Sequence, residues 1–274
     1  MPFDHPAPAA VVAVKRPVAF RAGGFAPRAL RGVPALTFAA LLGLWWVATS
    51  AQWVSAFALP PPGEVFSAFI EMARNGTLAK HLAASLQRLT LGWGLGASLG
   101  VLVGFAIGLS SLARSTALPL VSALFPIPKI ALLPLFIIWL GIGEVSKVAT
   151  IAFGVFSPMA IATFGGVDNV DRNLIRMAQS FGVPTLTIIR RIILPGAMPA
   201  LLSGARISAS IAIILLTAAE MIGAQFGVGA MVLAAGNLMQ IDQLVAGVLV
   251  LSAMGFTISQ LIGGIERRVL RWRT

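Results

Sequence analysis

The segment LTLGWGLGASLGVLVGFAIGL, residues 89–109, contains no charged side chain. At 1.5 Å per residue a helix of this length is about 30 Å long, the thickness of the hydrocarbon core of a bilayer. Its glycines, Gly92, Gly94, Gly96, Gly100, Gly104 and Gly108, include members at four-residue spacing. Small residues at that spacing give a helix a smooth face on which a second membrane helix can lie closely. The segment therefore reads as a packed spanning helix, with no chemistry of its own.

Similar runs recur. Spans are expected at about 34–54, 89–109, 117–139, 146–166, 203–222 and 244–264. The whole chain of 274 residues is 58% hydrophobic and only 11% charged, with mean hydropathy +0.92. Soluble domains carry roughly 25% charged residues. The fold class is an all-α integral membrane protein with six transmembrane helices.

Between the first two spans, LPPPGEVFSAFIEMARNGTLAKHLAASLQRL (59–89) reads as two amphipathic helices outside the bilayer, joined at Asn75-Gly76. The third span is broken by Pro119, Pro126, Pro128 and Pro134 and carries Lys129. Backbone opened in this way is tolerated in a membrane where it packs in protein or lines water. The stretch QFGVGAMVLAAGNLMQID (225–242) is too short and glycine-rich for a further span, and reads as a short helix or re-entrant piece at the surface.

The net charge of +11 does not point to nucleic acid, because the basic residues lie between and beyond the spans. Fifteen of the twenty Lys and Arg fall in residues 1–32, at Arg114, in 168–206 and after 266. Positive loops mark the cytoplasmic side, so both termini and the 168–200 loop are expected there. Residues 1–32 read as a flexible cytoplasmic tail, 33–266 as the transmembrane domain, and 267–274 as a basic cytoplasmic end. The first apolar run begins too late, near Pro34, and is too long for a secretory signal.

Enzymatic chemistry finds little support. The chain has no cysteine, and its two histidines, His5 and His81, have no partner at metal-ligand spacing and read as solvated. None of the four lysines follows a glycine, so there is no phosphate-cradling GxxxxGK[ST] loop. Neither a catalytic nor a metal site is expected. Two ionisable groups at membrane depth stand out. Glu220 is either a pathway residue, paired with Lys129 or Lys147, or a structural ion pair; Lys129 is either a pathway cation or a side chain reaching for headgroups.

The loop RMAQSFGVPTLTIIRRIILPGAMPALLSGARI (176–207) is the most informative polar stretch. Gly182 ends one short helix and Pro184 begins another, which Pro195 and Pro199 stop. With Arg190 and Arg191 on one side and apolar residues on the other, it reads as a helix-turn-helix on the inner membrane face. Taken alone, it could simply hold anionic lipid headgroups.

At this point the sequence resembles the permeases of binding-protein-dependent ABC importers. Their cytoplasmic motif runs EAA, three residues, Gly, nine residues, Ile, one residue, Leu-Pro; here Ala178, Gly182, Ile192, Leu194 and Pro195 stand at that spacing. The pattern departs at Arg176 and Met177, where the motif has Glu and Ala. IPKIALLPLFIIWLGIGEVSK (127–147) and AEMIGAQFGVG (219–229) are similar to the nitrate, sulfonate and taurine group of these permeases. The resemblance implies a type I importer permease fold in the bacterial inner membrane, and a homodimer lining a path for a small anion. It also implies two cytoplasmic ATPase subunits that carry ATP and Mg, and an extracytoplasmic substrate-binding protein. Arg176, Ala178, Gly182, Arg190, Arg191, Ile192, Leu194 and Pro195 would then form the ATPase-coupling loop. The alternative is a secondary transporter driven by an ion gradient, for which Glu220 would be the only clear intramembrane carboxylate.

Overall fold

The computed structural model describes residues 32–271. The expected tail 1–32, apart from Gly32, and the last residues of the expected C-terminal segment lie outside the described residues. By its internal contacts the chain divides after Leu44. Helix α1 (Val33–Ser50) has no charged residue along its length, and its second half ends in a turn where the indole nitrogen of Trp45 donates to the Pro60 carbonyl at 3.1 Å.

After α1 the described residues form α2 (Pro62–Arg74), α3 (Thr77–Leu109), α4 (Ser111–Leu124), α5 (Leu133–Leu140), α6 (Glu144–Asp168), α7 (Arg172–Ser180), α8 (Thr185–Ile188), α9 (Leu194–Met221), α10 (Val228–Asn237) and α11 (Ile241–Val269). Five helical stretches are long and apolar enough to cross a membrane: α1, α3, α6, Thr185–Met221 and α11. A sixth path is the pair formed by α4 and Lys129–Leu140, bent by 91°. Counting that pair as one, the candidate spans number six, and the proline-rich one is the broken one.

Three local expectations are corrected. The second amphipathic helix is not separate from the second span: α3 is one helix of 33 residues. At about 50 Å it outruns the hydrocarbon core, so its polar first turns extend beyond it. Pro195 and Pro199 do not stop the helix that starts at Thr185. A wider π-helical turn, Ile189–Ile193, precedes Pro195, which takes a first-turn position where its missing N–H costs little, and α9 continues through Pro199. Finally, α10 is no surface piece, since Val228, Met231, Val232 and Ala235 are buried. Val228 and Met231 share a small core with Val65 and Met72 of α2 and Ala246 of α11.

The main core lies along α6. Ile151, Val155 and Met159 pack with Leu89 and Ala97 of α3 and with Ala197, Leu201, Ala212, Leu215 and Leu216 of α9. Glycine sets the α3–α6 spacing. A Cβ on Gly96 would stand 2.3 Å from the Ala152 carbonyl oxygen, on Gly100 2.7 Å from that of Phe156, and on Gly104 2.6 Å from that of Ala160. Gly92 and Gly108 face Ile151 and Val167 as closely, whereas Gly94 faces open space. The packing face is therefore the four-residue series, and Gly94 lies off it.

This contrast yields a direct test. Gly96→Ala must push two helix backbones apart and should cost about 1–3 kcal/mol, the usual penalty of overpacking, while Gly94→Ala should change stability by less than about 0.5 kcal/mol. Unfolding of the two purified variants in the same detergent checks it. Equal midpoints would show that the glycine series does not set the helix spacing.

Candidate functional site

Sequence places Arg88 on α3, Glu144 at the start of α6 and Glu220 one residue before the end of α9; the fold brings all three to one end of the bundle. The Arg88 guanidinium grips Glu144 with Nε to Oε2 at 2.5 Å and Nη2 to Oε1 at 2.7 Å. Its Nη1 donates to Glu220 Oε1 at 2.8 Å and to the Phe226 carbonyl at 2.5 Å. The Glu220 side chain is 0% exposed and Arg88 5%, whereas Glu144 is 62% exposed. Ser85 Oγ donates to Glu220, 2.7 Å from Oε1, and accepts from the Val228 amide at 2.8 Å. The Gly229 amide donates to Oε2 at 2.9 Å. Beside them Lys147 is buried, its Nζ donating to the Gly143 carbonyl at 3.0 Å.

The cluster holds two cations and two carboxylates, so it is balanced. A buried charge is tolerated when it is paired and hydrogen-bonded in this way. Glu220 is thus a paired group, and its partner is Arg88 rather than Lys129 or Lys147. His81 is likewise not a solvated histidine: it is half-buried, with Nδ1 2.7 Å from the Gly227 carbonyl oxygen and 3.1 Å from its amide nitrogen. Gly227, at φ +141, leaves the room all this needs, since a Cβ there would stand 2.4 Å from the Glu220 carboxylate carbon. Phe226, Gly227 and Val228, at the entry to α10, are thus each held by a side chain from α3.

Lys129 lies elsewhere, at the break between α4 and α5, where it opens the 3₁₀ turn Lys129–Leu132. Its Nζ donates to the Phe125 carbonyl and sits 5.3 Å from the Phe125 ring centre. Pro119 is carried inside α4, whereas Pro128 caps the 3₁₀ turn and Pro134 lies in the first turn of α5, where the backbone is free to take them.

At the opposite end of the bundle, α7 and α8 meet at Gly182, whose φ of +69 is a conformation that favours glycine. Asp171 caps α7, its carboxylate accepting from the Asn173 amide at 2.8 Å. The motif residues divide into two sets. Ala178 is buried and Ile192 packs on the main core, with Leu194 and Pro195 half-buried. Arg176, Gly182, Arg190 and Arg191 are on the outer side, together with Phe181 (79% exposed), Met177 and Leu186. The first set holds the loop to the bundle, and the second forms an outward face of apolar knobs among arginines. A cavity of about 350 Å³ beside the loop is lined by Arg114, Arg172 and Arg176 around Asp168, which pairs with Arg114 at 2.9 Å and Arg172 at 3.2 Å. Among the described residues no group of His, Cys, Asp and Glu is arranged to hold a metal ion.

Six candidate spans, one of them broken, with a paired charge cluster at one end and a helix-turn-helix loop at the other, are the architecture of a multi-pass membrane protein. The chain belongs to the family of binding-protein-dependent transport system inner membrane components, whose pattern matches residues 96–271. It is 37% identical over 241 residues to the taurine transport system permease protein TauC of Escherichia coli (strain K12), covering 86% of this chain and 88% of that one. It is 36% identical over 235 residues to a protein of Bacillus subtilis (strain 168) named as a putative aliphatic sulfonates transport permease, SsuC, covering 86% and 85%. Among solved structures, the MetNI methionine ABC transporter in an inward-facing conformation superposes with a TM-score of 0.60 at 21% identity, over 70% of this chain and 96% of that one. The fold is that of the type I importer permeases, and the chain is a multi-pass inner-membrane permease of an ATP-driven importer. These relatives do not support the secondary-transporter alternative.

The charge cluster predicts a ranking. Arg88→Met strands a fully buried carboxylate and should cost about 3–5 kcal/mol. Glu220→Gln should cost less, because Arg88 keeps Glu144. Glu144→Gln should cost about 0–1 kcal/mol, as expected for a largely exposed partner. Thermal unfolding of the three variants in detergent tests the order, and an equal loss from all three would contradict it.

Proposed function

We propose that this chain forms, as a homodimer, the membrane path of an ATP-driven importer for small sulfonate anions of the taurine or alkanesulfonate type. The observation that carries the substrate class is the match along most of the chain to two relatives named for taurine and for aliphatic sulfonates. Two ATPase subunits, carrying ATP and Mg, would sit on the cytoplasmic side, and an extracytoplasmic binding protein would deliver the anion on the other. The distribution of Lys and Arg supports that orientation, with the 168–200 loop and both termini inside.

The loop would be the ATPase dock. Supporting this, its exposed face places Phe181, Met177 and Leu186 beside Arg176, Arg190 and Arg191, the mixture of apolar anchors and arginine that protein interfaces favour. Arg176, standing where the family motif has a glutamate, would ask for an acidic partner surface. A mechanical route follows from the helix itself. Thr185–Met221 spans 37 residues, about 55 Å, from the loop to the Glu220 cluster. Displacement of the dock by the ATPase would be carried along this helix to the end where Glu220 is held by Arg88, so that the two ends of the path open in alternation.

Gly182→Val tests the dock. A β-branched residue strains the positive-φ turn, so the variant should remain in the membrane at normal abundance while ATPase co-purification falls at least about tenfold. Undiminished co-purification, with taurine-stimulated ATP hydrolysis intact, would exclude this loop as the dock.

A further inference from the structure

We infer that Lys129 is an anion-binding group inside the translocation path, taking the sulfonate, or another small oxyanion, at the middle of the membrane. The inference rests on the permease reading above, and it gives that reading a site.

The depth comes first. The Lys129 side chain reaches α6 at Gly154, its Cγ 3.8 Å from where a Cβ on that glycine would stand. Gly154 lies ten residues from Glu144 and fourteen from Asp168, so it is about 15 Å along the helix from the charged cluster and about 21 Å from the other end. A lysine stem extends only about 6 Å and cannot carry its ammonium to either surface from there. Its Nζ folds back along the chain to the Phe125 carbonyl, on the exposed side of the break, and not toward either end of α6.

Charge is the second point. Arg88, Arg114, Arg172 and Arg206 each pair with a carboxylate, and Lys147 stands beside Glu144. Lys129 forms no ion pair among the described residues. Among the described residues a second copy of the chain offers no acid at mid-span. The nine carboxylates are Asp4, Glu64, Glu71, Glu144, Asp168, Asp171, Glu220, Asp242 and Glu266. Glu144, Asp168, Glu220, Asp242 and Glu266 lie at or near span ends, Glu64 and Glu71 on α2, and Asp171 before α7. Among the described residues none is at mid-span.

A cation at that depth, with one carbonyl and one aromatic face as company, is under-compensated. Its ammonium has three donors and the carbonyl takes one. The break between α4 and α5 would give access, because backbone opened at membrane depth must either pack in protein or line water, and Lys129 with its spare donors favours water. A permanent carboxylate partner would occupy the charge, whereas its absence leaves the site to a passing anion. The compact ammonium also suits an oxyanion that must leave again, because it binds as a point charge rather than as a two-pronged clamp.

The chain has no cysteine, so Lys129→Cys gives each permease chain a single thiol, with the unsubstituted complex as the control for thiols on its partners. The assay uses the complete transporter, with ATPase and binding protein, in proteoliposomes, and measures uptake of taurine and of nitrate alongside ATP hydrolysis. Lys129→Gln should lower uptake at least about tenfold, the loss expected for one charge-assisted hydrogen bond, while the complex assembles and basal hydrolysis continues. Lys129→Arg should retain most uptake. In the Lys129→Cys variant the thiol should react with aqueous 2-aminoethyl methanethiosulfonate, more slowly with taurine present. The aminoethyl adduct should restore uptake where a methyl adduct does not. Wild-type uptake by Lys129→Gln, failure of both Gln and Arg variants to assemble, or a thiol inert to the reagent would each overturn the inference. If the wild type carries nitrate but no taurine, and Lys129→Gln abolishes that, the sulfonate reading falls and the Lys129 site stands.

Discussion

The close contact between α3 and α6 is the constraint on which the rest of the bundle depends. In lipid there is little hydrophobic drive to bring helices together, so association relies on tight packing and on polar groups that satisfy one another. A five-glycine series on α3 allows carbonyls of α6 to lie where a methyl group would otherwise sit. That contact fixes the distance between the α3 residues Ser85 and Arg88 and the start of α6. From there Arg88 reaches both Glu144 and Glu220, and Ser85 reaches the Val228 amide, so the end of α9 and the entry to α10 are fixed in turn. Packing and electrostatics are not separate supports here, because one positions the other.

The two ends of the molecule are built on opposite terms. At the Glu220 end the buried charges are balanced, and the backbone turn is threaded around a carboxylate with glycines at Gly227 and Gly229. At the loop end, inward residues such as Ala178 and Ile188 anchor a face whose outward residues, Phe181 and Leu186 among them, are exposed. Between them lies the broken span. One end is closed by paired charges, the other presents an exposed surface, and one irregular helix lies between them.

Much of this is legible in the sequence, and the exceptions share a cause. The apolar runs locate the six spans because membrane thickness sets a length that composition reveals. Gly182 followed by Pro184 locates the loop turn because turn chemistry is local. The Arg88–Glu220 pair is not legible, since its members are 132 residues apart and no periodicity says which helices are neighbours. Depth alone points from Glu220 to Lys129 and Lys147, and Arg88, nearer the span end, does not stand out. His81 misleads for the same reason: its partner, Gly227, is distant in the chain. Pro195 and Pro199 mislead differently. The local rule that proline ends a helix holds in isolation, but a π-helical turn and packing against α6 let the helix continue.

Whether ATP hydrolysed by partner subunits drives this permease is decided by the energy source that its transport requires. The purified permease, its ATPase and its binding protein are reconstituted together in liposomes, and accumulation of labelled taurine is followed under defined energy sources. Accumulation should require ATP and the binding protein and should proceed without a proton or sodium gradient. Accumulation driven by an ion gradient with ATP absent would contradict an ATP-driven mechanism.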